Sequence, residues 1–178
     1  MSFILDMDAP KPPTHPDHIV AVVLAGGAGR RLGPGDKSLT PLAGKPLIDH
    51  VLDRVMPQAG QTILSANGDL DRFQPRPLPI IADQVPGSAG PLAGLLAALD
   101  WMQTHRPNAP WLLSVPTDTP FLPTDLAGRL AGALPSDKAA AACAASAGRR
   151  HPVIALWPVS STGALRRALT VEAIRKVG

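Results

Sequence analysis

Six apolar residues in a row, Ile19 to Leu24, run straight into a stretch where Gly26, Gly27, Gly29, Gly33 and Gly35 crowd together with Arg30, Arg31 and Lys37. An unbroken apolar run rich in β-branched side chains is how a strand buried on both faces of a parallel sheet reads. The glycines let the backbone turn tightly after that strand and bring its N–H and C=O groups close to a ligand. Fixed cations beside such a loop suit a polyphosphate. A nucleotide at the end of the first strand is the leading expectation. A flexible strand-to-helix connection with solvated basic residues is the plainer alternative.

The glycine spacing narrows the choice. A P-loop needs Gly-Lys-Ser/Thr, and here Asp36 separates Gly35 from Lys37. The dinucleotide fingerprint fails by one residue, since Gly27, Gly29 and Gly33 are spaced Gly-x-Gly-x-x-x-Gly. No acidic residue ends a second strand at the customary distance either, which disfavours a dinucleotide-dependent oxidoreductase. Two arginines fit better where a triphosphate is cleaved and negative charge builds up.

The chain has 178 residues, of which 45% are hydrophobic, enough for one domain with a sizeable core. No apolar run approaches the length of a membrane span, so no membrane role is expected. The single Cys143 excludes an internal disulfide framework and suits a reducing, cytoplasmic setting. A net charge of +3, no tyrosine and no basic run interleaved with aromatics argue against nucleic-acid binding by base stacking. Residues 1–17, proline-rich and without the basic start of a secretory signal, read as a disordered leader.

Further along, Pro46 suits the first turn of a helix carrying Ile48, Val51, Leu52 and Val55. His50 on that helix reads as a surface or packing histidine. Thr62–Ser65 is a short strand; Ser65 and Asn67 place compact hydrogen-bonding groups where open sheets bind ligands. Asn67-Gly68 is also a common turn pair. Residues 79–82 form a third strand ending at Asp83, a carboxylate that can accept hydrogen bonds from a guanine or a ribose hydroxyl, or a helix or loop cap. Gly87 to Gly94 opens a helix with a Leu92, Leu95, Leu96, Leu99, Met102 stripe; Gly94 suits close packing on the sheet. Trp111–Val115 is a fourth strand running into Pro116-Thr117-Asp118-Thr119-Pro120. One carboxylate at such a strand tip can hold Mg²⁺ together with substrate phosphates, or can cap a helix. From Pro123 a helix carries Leu126, Leu130 and Leu134. An alanine-rich strand then pairs with residues 152–157 across a turn holding Gly148, Arg149, Arg150 and His151. Ser160 or Ser161 caps a last helix with Leu165, Leu169 and Ile174.

Leu24-Ala25-Gly26-Gly27, Arg31-Leu32-Gly33, Asp36-Lys37, Gly44-Lys45-Pro46-Leu47, Pro116-Thr117-Asp118-Thr119-Pro120 and His151-Pro152-Val153 together resemble the nucleotidyltransferases, and within them the molybdenum cofactor guanylyltransferase family. The resemblance runs to about Trp157. It implies a single-domain α/β fold, a doubly wound, mostly parallel, Rossmann-like sheet with helices on both faces. It implies Mg²⁺-dependent transfer of GMP from GTP to molybdopterin-bound molybdenum, with release of pyrophosphate. Arg31, Lys37 and Asp118 are its catalytic candidates, Asp118 also holding the metal. Leu24, Ala25, Gly26, Gly27, Lys37, Ser65, Asn67, Asp83 and Asp118 are its GTP-binding candidates. Gly90, Pro91, Leu92 and His151 are candidates for the acceptor.

Two departures accompany the resemblance. Pro34 removes an N–H where the family often has glycine. The family's C-terminal strand and Asn-x-Asn-Thr-Pro segment have no counterpart, so residues 18–178 read as a nucleotidyltransferase domain lacking that segment. A sister transferase using CTP or a sugar phosphate, and a non-catalytic nucleotide- or pterin-binding module, stay open as alternatives. Molybdoenzymes or cofactor-insertion proteins are the expected protein partners, since a labile pterin is better handed over than released.

Overall fold

The apolar run does become the centre of a sheet. In the computed structural model, residues 10–25, 36–74, 76–82, 90–134 and 141–170 are described. β1 (Ile19–Leu24) is followed by the two-residue strands β2 (Pro41–Leu42) and β3 (Lys45–Pro46), then by α1 (Leu47–Val55). β4 (Gln61–Ser65), β5 (Ile80–Ile81), α2 (Pro91–His105), β6 (Trp111–Pro116) and α3 (Leu126–Gly132) come next. β7 (Ala142–Ser146), β8 (Arg149–Pro158) and α4 (Thr162–Thr170) complete the described chain.

The sheet order is β5-β4-β1-β6-β8-β7. β5, β4, β1 and β6 are parallel, β8 runs antiparallel to β6, and β7 antiparallel to β8. Alternation along β1 supplies both faces. Ile19, Ala21 and Val23 join a core cluster with Val51, Leu52, Leu126 and Leu130, from α1 and α3. Val20 and Val22 join the opposite cluster with Leu95, Leu96, Leu99 and Met102 of α2 and Leu169 of α4. This is the expected doubly wound α/β fold with helices on both faces. The chain steps from β1 outward to β4 and β5, then returns to place β6 on β1's other side. The topological switch point therefore lies between β1 and β6, where open α/β sheets bind ligands.

Several local expectations shift. Pro46 caps α1 from outside it and closes a small hairpin with Pro41. His50 ties α1 to that hairpin, its Nε2 lying 2.8 Å from the Leu42 carbonyl, which is the packing role expected of it. Residues 10–17, expected within a disordered leader, are docked instead. Trp111 Nε1 donates to the Lys11 carbonyl at 2.9 Å, and Gly60 N–H to the Pro16 carbonyl at 2.8 Å. The turn joining β7 to β8 is Ala147-Gly148, both at positive φ, so Arg149, Arg150 and His151 belong to β8. A two-residue turn of that hand matches the twist of the strands it joins.

β8 also breaks its pairing at one place that shapes the site. It follows β6 only as far as Ala155 opposite Ser114. Its register with β7 jumps there too, Cys143 facing Ala155 but Ala144 facing His151. Pro152 lies inside the jump and has no N–H to give the ladder. Ser114 Oγ donates to the Val153 carbonyl at 2.7 Å and accepts from Trp157 Nε1 at 2.9 Å, so the bulge is held from beneath.

Candidate active site

The carboxyl ends of the three central strands lie level, Leu24 being paired with Ser65 on one side and Pro116 on the other. Past those ends the chain gathers its charged residues. Lys37 opens a short helical turn, Lys37–Leu39, capped by Asp36, whose Oδ1 accepts from the Ser38 amide at 2.9 Å and the Ser38 hydroxyl at 2.6 Å. Lys37 Nζ donates to Asp118 Oδ2 at 2.7 Å. Asp118 sits in a turn two residues beyond β6, not at the start of a helix, so the capping alternative does not apply. Both side chains are two-fifths exposed and open to a ligand.

Burial alone pushes the Asp36 carboxyl up. The Ser38 hydroxyl, the Arg72 guanidinium and the Ser38 amide outweigh it and hold the group below its ordinary value. The result is a fixed anion at the cap of the Lys37 turn, neutralised by Arg72.

The nucleotide candidates are brought together where they are described. Ala25 N–H donates to the Ser65 carbonyl at 2.8 Å, tying the start of the glycine loop to β4. Ser65 is 4% exposed and its side chain lies beneath α2. A Cβ on Gly94 would come within 2.5 Å of its Oγ and 3.0 Å of Leu24 Cδ2, so Gly94 serves close packing on the sheet. Asn67 leads into a turn at Gly68, whose φ is +79°. Gly90, Pro91 and Leu92 open α2 beside these same strand ends, with Leu92 turned into the core. Gly26, Gly27, Arg31 and Asp83 lie outside the described residues.

His151 is on the other side of Asp118. A cavity of about 620 Å³ runs from Asp118 along α3 to the β7–β8 hairpin. Phe121, Leu126, Leu130, Cys143 and His151 line it, and the His151 ring and Ser146 hydroxyl share a 2.6 Å hydrogen bond. Gly90, Pro91 and Leu92 do not line it, so the acceptor candidates divide between two places. Phe121, 79% exposed, was missed from sequence although it directly follows the Asp118 loop. Arg72 was missed because its carboxylate partner is 36 positions away.

The sequence profile of the MobA-like NTP transferase domain matches residues 21–177. The chain belongs to that family. MobA-like membership makes it a nucleotidyltransferase, in agreement with the Lys37–Asp118 pair beside a switch point. A molybdenum cofactor guanylyltransferase of Rhodopseudomonas palustris (strain BisB5) is 56% identical over 157 residues, covering 88% of this chain and 75% of that protein. The crystal structure of molybdopterin-guanine dinucleotide biosynthesis protein A from Archaeoglobus fulgidus superposes with a TM-score of 0.63 at 26% identity, covering 89% and 75% of the two chains. A Mycobacterium tuberculosis H37Rv protein, solved in complex with manganese, shares the fold with a TM-score of 0.62 at 18% identity, covering 84% and 75%. Among the described residues no helix is long and apolar enough to cross a membrane.

Proposed function

We propose that this MobA-like chain is a molybdenum cofactor guanylyltransferase, moving GMP from GTP to the terminal phosphate of molybdopterin-bound molybdenum with release of pyrophosphate. The observation that carries the reading is the Lys37–Asp118 pair beyond the carboxyl ends of β1 and β6. The names of its relatives supply the nucleotide and the acceptor.

An acceptor phosphate oxygen attacks the α-phosphorus of GTP. The bond from that phosphorus to the bridging oxygen breaks, and pyrophosphate leaves with the electron pair. No covalent enzyme intermediate is needed, so the protein's work is positioning and charge neutralisation. Lys37 and Arg31 offset the charge on the leaving pyrophosphate. The backbone of Leu24, Ala25, Gly26 and Gly27, with Asn67 and Asp83, holds base and ribose, while Ser65 supports that pocket from below.

Asp118 suits Mg²⁺. It is a hard oxygen donor, half open to solvent, and among the described residues no group of three metal-binding side chains competes with it. Mg²⁺ is ordinarily held by one or two carboxylates plus substrate phosphates and water. When bound, the ion neutralises charge on the phosphates around the reacting phosphorus.

The cavity beside Asp118 suits the acceptor. Exposed Phe121 offers a flat face to a pterin, and His151 with Ser146 offers polar groups. Hand-over to molybdoenzymes or insertion proteins, in the cytoplasm, belongs to the same proposal.

Pyrophosphate release with Mg²⁺, molybdopterin acceptor and GTP, CTP or ATP tests it. Turnover with GTP well above the other two is expected. Equal turnover with CTP overturns the guanylyl assignment, and none with GTP overturns the transferase.

A further inference from the structure

Arg72 lies in no motif, yet its guanidinium joins two parts of the nucleotide site. Nε donates to Asp36 Oδ2 at 2.6 Å, and Nη2 to the Asn67 carbonyl at 2.9 Å. Nη1 donates to the Asp69 carbonyl, and the group's carbon stands 4.4 Å from the ring centre of fully buried Phe73. Arg72 and Asp36 are less than a quarter exposed, more sheltered than the Lys37–Asp118 pair. A line of polar contacts therefore runs from the turn after β4, through Arg72 and Asp36, to the short helical turn that presents Lys37 to Asp118.

We propose that Arg72 is a positioning residue of the nucleotide site, resting on the GTP reading above. It holds the Asn67 turn against the Lys37 turn and neutralises Asp36. The logic is electrostatic. Asp36 caps the turn from which Lys37 reaches Asp118. Left without its guanidinium, the Asp36 carboxylate would stand as an unpaired anion one residue from Lys37 and would repel a polyphosphate bound there. Arg suits this work better than Lys, because a planar fork reaches a carboxylate and two carbonyls at once. Charged hydrogen bonds of this kind correspond to roughly tenfold to a hundredfold in an equilibrium constant.

The test uses the full chain, Mg²⁺ and a fluorescent GTP analogue displaced by GTP, with thermal melts as a check of folding. Arg72→Ala is expected to weaken GTP binding roughly tenfold or more. Arg72→Lys should recover part of that loss. Asp36→Asn added to Arg72→Ala should recover most of it, since an amide side chain at that position still caps the Lys37 turn and carries no charge. Binding by Arg72→Ala within about twofold of wild type overturns the assignment, as does a double variant no better than Arg72→Ala. A wild-type chain that binds no GTP overturns the GTP reading and this one together, whereas normal wild-type binding with an indifferent Arg72→Ala overturns this one alone.

Discussion

Lys37 Nζ and Asp118 Oδ2 stand 2.7 Å apart although 81 positions separate them in the chain. Both are too exposed for the pair to add more than about 1 kcal/mol to stability. The expected consequence of losing either is therefore catalytic. Asp118→Asn should lower pyrophosphate release on the order of a hundredfold or more with little change in melting temperature. Lys37→Ala should reduce kcat far more than it alters the choice between GTP and CTP. Near-wild-type turnover in Asp118→Asn would place the metal on another residue.

Gly94 packs its backbone where a Cβ would stand 2.5 Å from Ser65 Oγ. Gly94→Ala must push α2 away from β1 and β4 or displace the Ser65 side chain. Overpacking of this kind costs about 1–3 kcal/mol, and the displaced strand ends carry the nucleotide candidates. A lowered denaturation midpoint together with a raised KM for GTP is expected. A normal midpoint would show that the helix adjusts freely.

Asp36 predicts an acid-side effect. Its folded-state carboxyl is held below the ordinary 3.8, so the unfolded chain binds the proton more readily. Stability from this group is complete above the unfolded value and is lost as pH falls through 3.8 and then through the lower folded value. Asp36→Asn should flatten the acid limb of a melting-temperature profile between about pH 5 and pH 2. An unchanged slope there would mean that other carboxylates carry the acid response.

Phe121 is 79% exposed beside the cavity that reaches Asp118. A large apolar side chain left in water at that place is explained if the acceptor covers it. Phe121→Ala should raise KM for the molybdopterin acceptor several-fold, leave the KM for GTP unchanged, and not lower the melting temperature. Equal shifts in both KM values would remove the cavity from the acceptor's path.

The sequence alone determined the layers of the fold. Buried strands and amphipathic helices are written in local periodicity, which is why β1, α2, β6 and the helix faces could be read directly. The position of Asp118 just past an apolar strand was legible too, although the strand alone left a metal ligand and a helix cap both open. Tertiary structure decided what the site residues touch. Ser114 of β6 meets the Val153 carbonyl, 39 positions away, at the bulge in β8, and the cavity beside Asp118 is lined jointly by residues of α3, β7 and β8. Arg72 gained its place the same way, since nothing near it in the chain announces a carboxylate at position 36. Side-chain charge and hydrogen bonding act through space over a few ångströms, so pairings made by sheet topology leave no spacing signal along the chain.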